Sequence, residues 1–101
     1  MAGKLHKYYD RFYFFCPGCK HAHCYDIPRW SFNNNLENPT FNPSLLMFYN
    51  HPDTGERVVT CHLWIKNGKI EFCGDCQHEL RSQTVDMIDF PDNYDLPQED
   101  K

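Results

Sequence analysis

The chain has 101 residues, six cysteines, 16 % aromatic residues and a formal charge of −4. That length allows one domain with a thin core, and no apolar run approaches the roughly 20 residues of a membrane span. Residues 89–101 hold five acids against Lys101 alone, so residues 1–88 balance and lack the basic footprint of most nucleic-acid binders. The first residues carry no apolar stretch of a secretory signal, so a cytoplasmic location is expected. In a reducing compartment, six cysteines in a small domain point to metal rather than disulfides.

No stretch sustains helical spacing, and turn signals recur throughout, which predicts an all-β fold. A strand over residues 11–15 runs into Cys16-Pro17-Gly18-Cys19, and a second leaves it over 24–27. Asn33-Asn34-Asn35 reads as an exposed turn in which Asn34 or Asn35 can take positive φ. A strand over 44–49 follows two proline-marked turns. The clearest element is a β-hairpin over 58–73 around Asn67-Gly68, the strongest short hairpin signal. Taking Asn67-Gly68 as the loop pairs Ile65 with Ile70 and Leu63 with Phe72. Alternation then puts Cys61, Leu63, Ile65, Ile70 and Phe72 on one face and His62, Trp64, Glu71 and Cys73 on the other. Residues 83–88 close a single zinc-binding β domain spanning 1–90, and 91–101 form an acidic tail expected to lie loosely.

Cys16-x-x-Cys19 is the strongest chemical signal. Its spacing lets two thiolates meet one tetrahedral ion at about 2.3 Å while the turn's amides face the sulfurs. Cys73-x-x-Cys76 offers a second pair, giving a zinc-ribbon-like sheet packed on a Cys-x-x-Cys knuckle. The hairpin register offers a competing completion, because it turns Cys61 and Cys76 to one side and Cys73 to the other. Spacing alone leans towards Cys73 and Cys76.

Several blocks together resemble a known group. They are Cys16-Pro17-Gly18-Cys19 with His23, Trp30 with Phe32-Asn33, and Asn38-Pro39-Thr40-Phe41 followed by Pro43-Ser44-Leu45. Cys61-His62, Asn67-Gly68 with Ile70 and Phe72, Asp75-Cys76 with His78, and Gln83-Thr84-Val85 complete the set. The pattern is similar to small proteins of tailed bacteriophages and prophages that have no established function and often go by the name ammonia monooxygenase. That name finds no footing here, since the chain has neither membrane span nor histidine-rich copper site. The resemblance implies phage origin and a zinc-bound β fold. It further implies Cys16, Cys19, Cys61 and Cys76 as ligands, because the position of Cys73 is usually aliphatic in the group. Arg81-Ser82 and Cys24 depart from the pattern.

His23, His62, Cys73 and His78 are then outer-sphere or alternative ligands. Four thiolates favour a structural zinc ion, so no catalytic residue is assigned. The leading expectation is a non-enzymatic, zinc-stabilised module binding a host or phage protein and modulating a host or defence system. The alternatives are a zinc-dependent hydrolase using His62, His78 and Asp75 at an open metal position, and a single-strand nucleic-acid binder. The latter would stack bases on Trp30, Phe32, Phe41, Phe48 and Trp64, although such rings are more often core.

Overall fold

The computed structural model describes residues 3–99. Among them every regular element is a strand, and the strands form two antiparallel sheets. The first sheet holds β1 (His6–Tyr8), β2 (Arg11–Cys16) and β3 (His21–Asp26) in that order. The second holds β4 (Ser31–Phe32), β5 (Phe41–Asn50), β6 (Arg57–Lys66), β7 (Lys69–Phe72) and β8 (Thr84–Asp86), again in sequence order. The expected all-β class is therefore the observed one. Two short strands, β1 and β4, were not legible as elements, because three and two residues are too few to show alternation.

Alternation decides what each strand buries. On β2 it sends Phe12, Phe14 and Cys16 inward, and on β3 His23 and Tyr25. On β6 and β7 it sends Cys61, Leu63, Ile65, Ile70 and Phe72 inward. The two inner faces meet through aromatic rings. Tyr25 stacks on Phe41 at 4.2 Å, Phe41 on Phe32 at 4.8 Å, and Phe12 lies 4.6 Å from Phe32. Phe41 and Phe32 are thus core rings, whereas Phe48 is exposed beneath the Arg57 guanidinium, 4.4 Å from its ring centre.

The hairpin register is the expected one, with Leu63 opposite Phe72 and Ile65 opposite Ile70. Asn67 and Gly68 have φ of 49° and 76°, the two left-handed positions of a type I′ turn. The β5–β6 pairing is less regular. Phe41 faces Ile65 and Leu45 faces Leu63, so Asn42, Pro43 and Ser44 lie opposite Trp64 alone. This bulge sits in the middle of the sheet. In the Asn33 turn, Asn34 takes φ 62°, while Asn33 Oδ1 accepts from the amides of Asn35 and Thr40. Beyond Pro91, Tyr94 packs 5.5 Å from Phe15 and its hydroxyl accepts from Ala22 N at 2.8 Å. His6 Nε2 donates to the Pro97 carbonyl at 2.6 Å.

Gly55 and Gly68 separate two costs of substitution. Both have positive φ, but a Cβ on Gly55 meets open space while one on Gly68 comes within 3.2–3.4 Å of Asn38 and Glu37. Left-handed backbone costs an L-residue about 1–2 kcal/mol. Chemical denaturation should show Gly55→Ala losing about that much, and Gly68→Ala losing clearly more.

Candidate functional site

Two clusters share one end of the second sheet. The first lies between the inner faces. Cys16 arrives there at the end of β2 by the same alternation that buries Phe12 and Phe14, and Cys61 by the alternation that buries Leu63 and Ile65. Cys19 closes the knuckle, where Lys20 N donates to Cys16 O at 2.7 Å and Cys19 N to Cys16 Sγ at 3.4 Å. Donor atoms of Cys16, Cys19, Cys61 and His78 all fall within 4.8 Å of one another, so this group could hold a metal ion.

Cys76 is buried beside that group. Its Sγ accepts from His62 N at 3.2 Å and donates to His62 O at 3.1 Å. The His23 ring is buried against Cys16, edge-on to Phe14, with neither ring nitrogen in a well-formed hydrogen bond among the described residues. Cys24 lies away on β3, opposite Tyr13.

The thiols cannot all ionise unaided. Cys16 is pulled down to about 3, chiefly by the hydrogen bond from Cys61. Cys61 is pushed far up because it is that donor, with burial adding to the effect. Burial, and then the charge of Cys16, hold Cys19 up at about 11. Two thiolates about 4 Å apart repel by about 4 kcal/mol at an effective dielectric of 20. One thiolate is comfortable here and three are not, unless a cation sits among them. The donor chemistry, thiolates plus imidazole at this separation, fits zinc.

Gly18 is what allows the cluster to close. A Cβ there would run into the imidazole of His78, which in turn stands edge-on to Phe72 at 4.7 Å.

The second cluster lies on the outer face of the same strands. His62 follows Cys61 and so points away from the core. Its Nδ1 is 3.2 Å from both carboxylate oxygens of Asp75, and its Nε2 is 3.0 Å from Ser44 Oγ. A carboxylate can only accept, so Nδ1 carries the proton and Nε2 is free to accept from the Ser44 hydroxyl. Ser44 reaches His62 as a diagonal neighbour, since Leu46 is the residue directly opposite. The β5 bulge carries the serine, and Trp30 Nε1 fixes its carbonyl at 3.2 Å. The His62 and Asp75 side chains are 27 % and 48 % exposed, so the row is open to a molecule in solution. A hydroxyl, an imidazole and a carboxylate joined in this order form a nucleophile–base–orienter chain, which is recognised by geometry rather than by chain order.

A family model for the bacterial ubiquitination-like system serine protease, BubE, matches residues 2–73. The chain belongs to the BubE family. No curated protein and no solved structure matches it. The match covers Ser44 and His62 and stops before Asp75, and all three members of the row rest on the geometry.

The residues singled out in the sequence therefore divide. Cys16, Cys19, Cys61 and His78 converge, with Cys76 and His23 alongside; His62, Cys73 and Asp75 form a separate group. His62, His78 and Asp75 do not converge on one point, as the zinc-hydrolase alternative required. Ser44 carried no chemical signal of its own. The only hint was its place beside Pro43 in a block shared with other proteins, on a strand whose partner the sequence does not name.

Overpacking a closed contact typically costs about 1–3 kcal/mol. Gly18→Ala should lower thermal stability by that order and weaken metal retention under a competing chelator, measured by metal analysis after dialysis.

Proposed function

We propose that this chain is a serine protease of a bacterial ubiquitination-like system, with Ser44 as nucleophile, His62 as general base and Asp75 as the residue that orients it. The observation that carries this reading is the unbroken row Asp75–His62–Ser44, at 3.2 Å and 3.0 Å, and the family description supports it. In the acylation step, Ser44 Oγ attacks the carbonyl carbon of the scissile bond while His62 Nε2 takes the hydroxyl proton. The same nitrogen returns that proton to the leaving amine as the C–N bond breaks. Water then repeats the sequence on the Ser44 ester and releases the acid. Asp75 stays ionised, holding the Nδ1 proton and stabilising the imidazolium.

The metal is read as zinc, held by Cys16, Cys19 and Cys61 with Cys76 as fourth ligand. Zinc supplies closure of the fold and no step of the reaction. Two observations support Cys76 over His78. Leu80 N donates to His78 Nδ1 at 3.3 Å, which leaves Nε2 bearing the proton and turned to Cys61 Sγ at 3.4 Å as a donor. Cys76 already receives the His62 amide, and its bond to His62 O exists only while it is a thiol. Through that amide and the Cys73 N to His62 O bond at 2.9 Å, the metal loop positions both His62 and Asp75.

A second reading keeps the chain as a phage-derived interaction module in the host cytoplasm, modulating a host or defence protein. The exposed Phe48 and Tyr49 at the far end of β5 favour it. Ser44 would then be dispensable.

A fluorophosphonate probe separates these readings. Wild type should be labelled at Ser44, and Ser44→Ala should lose all labelling while keeping its fold and metal. Asp75→Asn should lower the labelling rate by about 10⁴-fold, the scale seen when the orienting carboxylate of such a row is neutralised. Labelling of Ser44→Ala equal to wild type would sink the protease reading.

Metal analysis tests the ligands independently. Zinc should be lost from Cys61→Ala and Cys76→Ala and retained in Cys73→Ala and His78→Ala. Retention in Cys76→Ala with loss in His78→Ala would transfer the fourth position to the histidine.

A further inference from the structure

Cys73 and Cys24 are the thiols that neither the metal knuckle nor the catalytic row uses, and Cys73 is the one that lies beside the row. It directly follows β7, and its amide donates to His62 O at 2.9 Å. Its carbonyl accepts from Cys76 N and Ser82 N, both at 3.4 Å. These bonds hold the residue opposite His62. Its sulfur, one ring nitrogen of His62 and one Asp75 oxygen lie within 4.8 Å of one another.

We propose that His62, Cys73 and Asp75 form a second divalent-cation site, suited to a borderline-soft ion such as Zn²⁺, whose occupation switches off Ser44. This inference rests on the reading of Ser44, His62 and Asp75 as the catalytic row. A thiolate, an imidazole and a carboxylate are the three side-chain donors zinc prefers, and three protein ligands leave a fourth position for water. Unlike the buried knuckle, the group faces solvent, with His62 27 % and Asp75 48 % exposed, so an ion can enter and leave without unfolding the domain.

The consequence for the chemistry does not depend on which imidazole nitrogen binds. An ion on Nδ1 takes the place of the proton and engages the carboxylate that oriented the ring. An ion on Nε2 displaces the Ser44 hydroxyl. In both cases the ring already carries a cation and no longer accepts the serine proton. Cys73 braces His62 through its backbone amide, which Cys73→Ser leaves in place; among the described residues its thiol makes no hydrogen bond to the row, so the thiol serves the ion and not the reaction. The arrangement makes activity responsive to free zinc, while the buried ion stays in place.

The test uses full-length protein carrying its tightly held zinc, titrated with further Zn²⁺ and, for spectroscopy, Co²⁺. Wild type should bind a second equivalent and lose fluorophosphonate labelling of Ser44 as that equivalent binds. A weak chelator that leaves the first ion in place should restore labelling. Cys73→Ser should label at the wild-type rate without added metal. It should also need at least about 10-fold more Zn²⁺ for the same inhibition, the lower end of what even an outer-sphere ligand change costs in metal affinity. The sulfur-to-cobalt charge-transfer band of the second equivalent should be absent from this variant.

A single equivalent in wild type, or an unchanged second equivalent in Cys73→Ser, overturns the site. Unimpaired labelling with the second ion bound overturns the inhibition. If Ser44 is unreactive even without added metal, the catalytic reading fails, while the dependence of the second equivalent on Cys73 still decides the site.

Discussion

The crowding of sulfur at the end of the two-sheet stack is the constraint on which the rest depends. Cys16 and Cys19 belong to the first sheet's knuckle, Cys61 to the centre of the second sheet, and Cys76 and His78 to the loop after β7. Backbone hydrogen bonds such as Cys73 N to His62 O and Gln77 N to Thr60 O tie the loop to β6, and the sulfur cluster adds the first sheet's knuckle to them. Without a cation, only one thiolate is tolerated, and the others remain buried thiols that contribute little more than small hydrophobes. With one, the same residues become a cross-link between sheets, worth about 10–16 kcal/mol in small zinc-folded domains. For a core of this size, that contribution rivals the whole of a typical folding free energy.

The Asp75–His62–Ser44 row is built on the reverse side of that sulfur cluster. Residues 61 and 62 are neighbours on one strand, so the cysteine of the sulfur cluster and the histidine of the row point to opposite faces by the period of the strand alone. Residues 75 and 76 divide the same two tasks on the loop after β7. The two groups are therefore interleaved in sequence and separated in space. This interleaving is why a histidine and an aspartate next to cysteines invite a reading as ligands of the same ion, whereas the structure puts His62 and Asp75 in a group apart from the buried thiols.

Much of the fold is legible in the residues. The Asn67-Gly68 turn fixes the hairpin register, and that register sorts Cys61 from His62 and sets Cys73 on the outer side. The Cys16-Pro17-Gly18-Cys19 spacing declares a knuckle. What the sequence does not carry is the pairing of β5 with β6, because the bulge breaks the alternation that would reveal it. Ser44 takes its meaning from that pairing, as a serine becomes a nucleophile only beside a base. The strands β1 and β4 are hidden for a simpler reason, being only three and two residues long, too few to repeat an alternation.

The bulge itself obeys a parity rule. Between Phe41 and Leu45 the chain spends four steps where its partner spends two, a surplus of two residues. An even surplus returns the strand to the same face, so Phe41 and Leu45 both stay buried and Ser44 stays outside. An odd one would exchange the faces. A single-residue deletion at Asn42 or Pro43 would leave the serine, histidine and aspartate in the chain and every cysteine untouched. It would still force a choice between turning Ser44 into the core and turning Leu45 out of it. In this stretch of the chain, what keeps Ser44 beside His62 is a count modulo two.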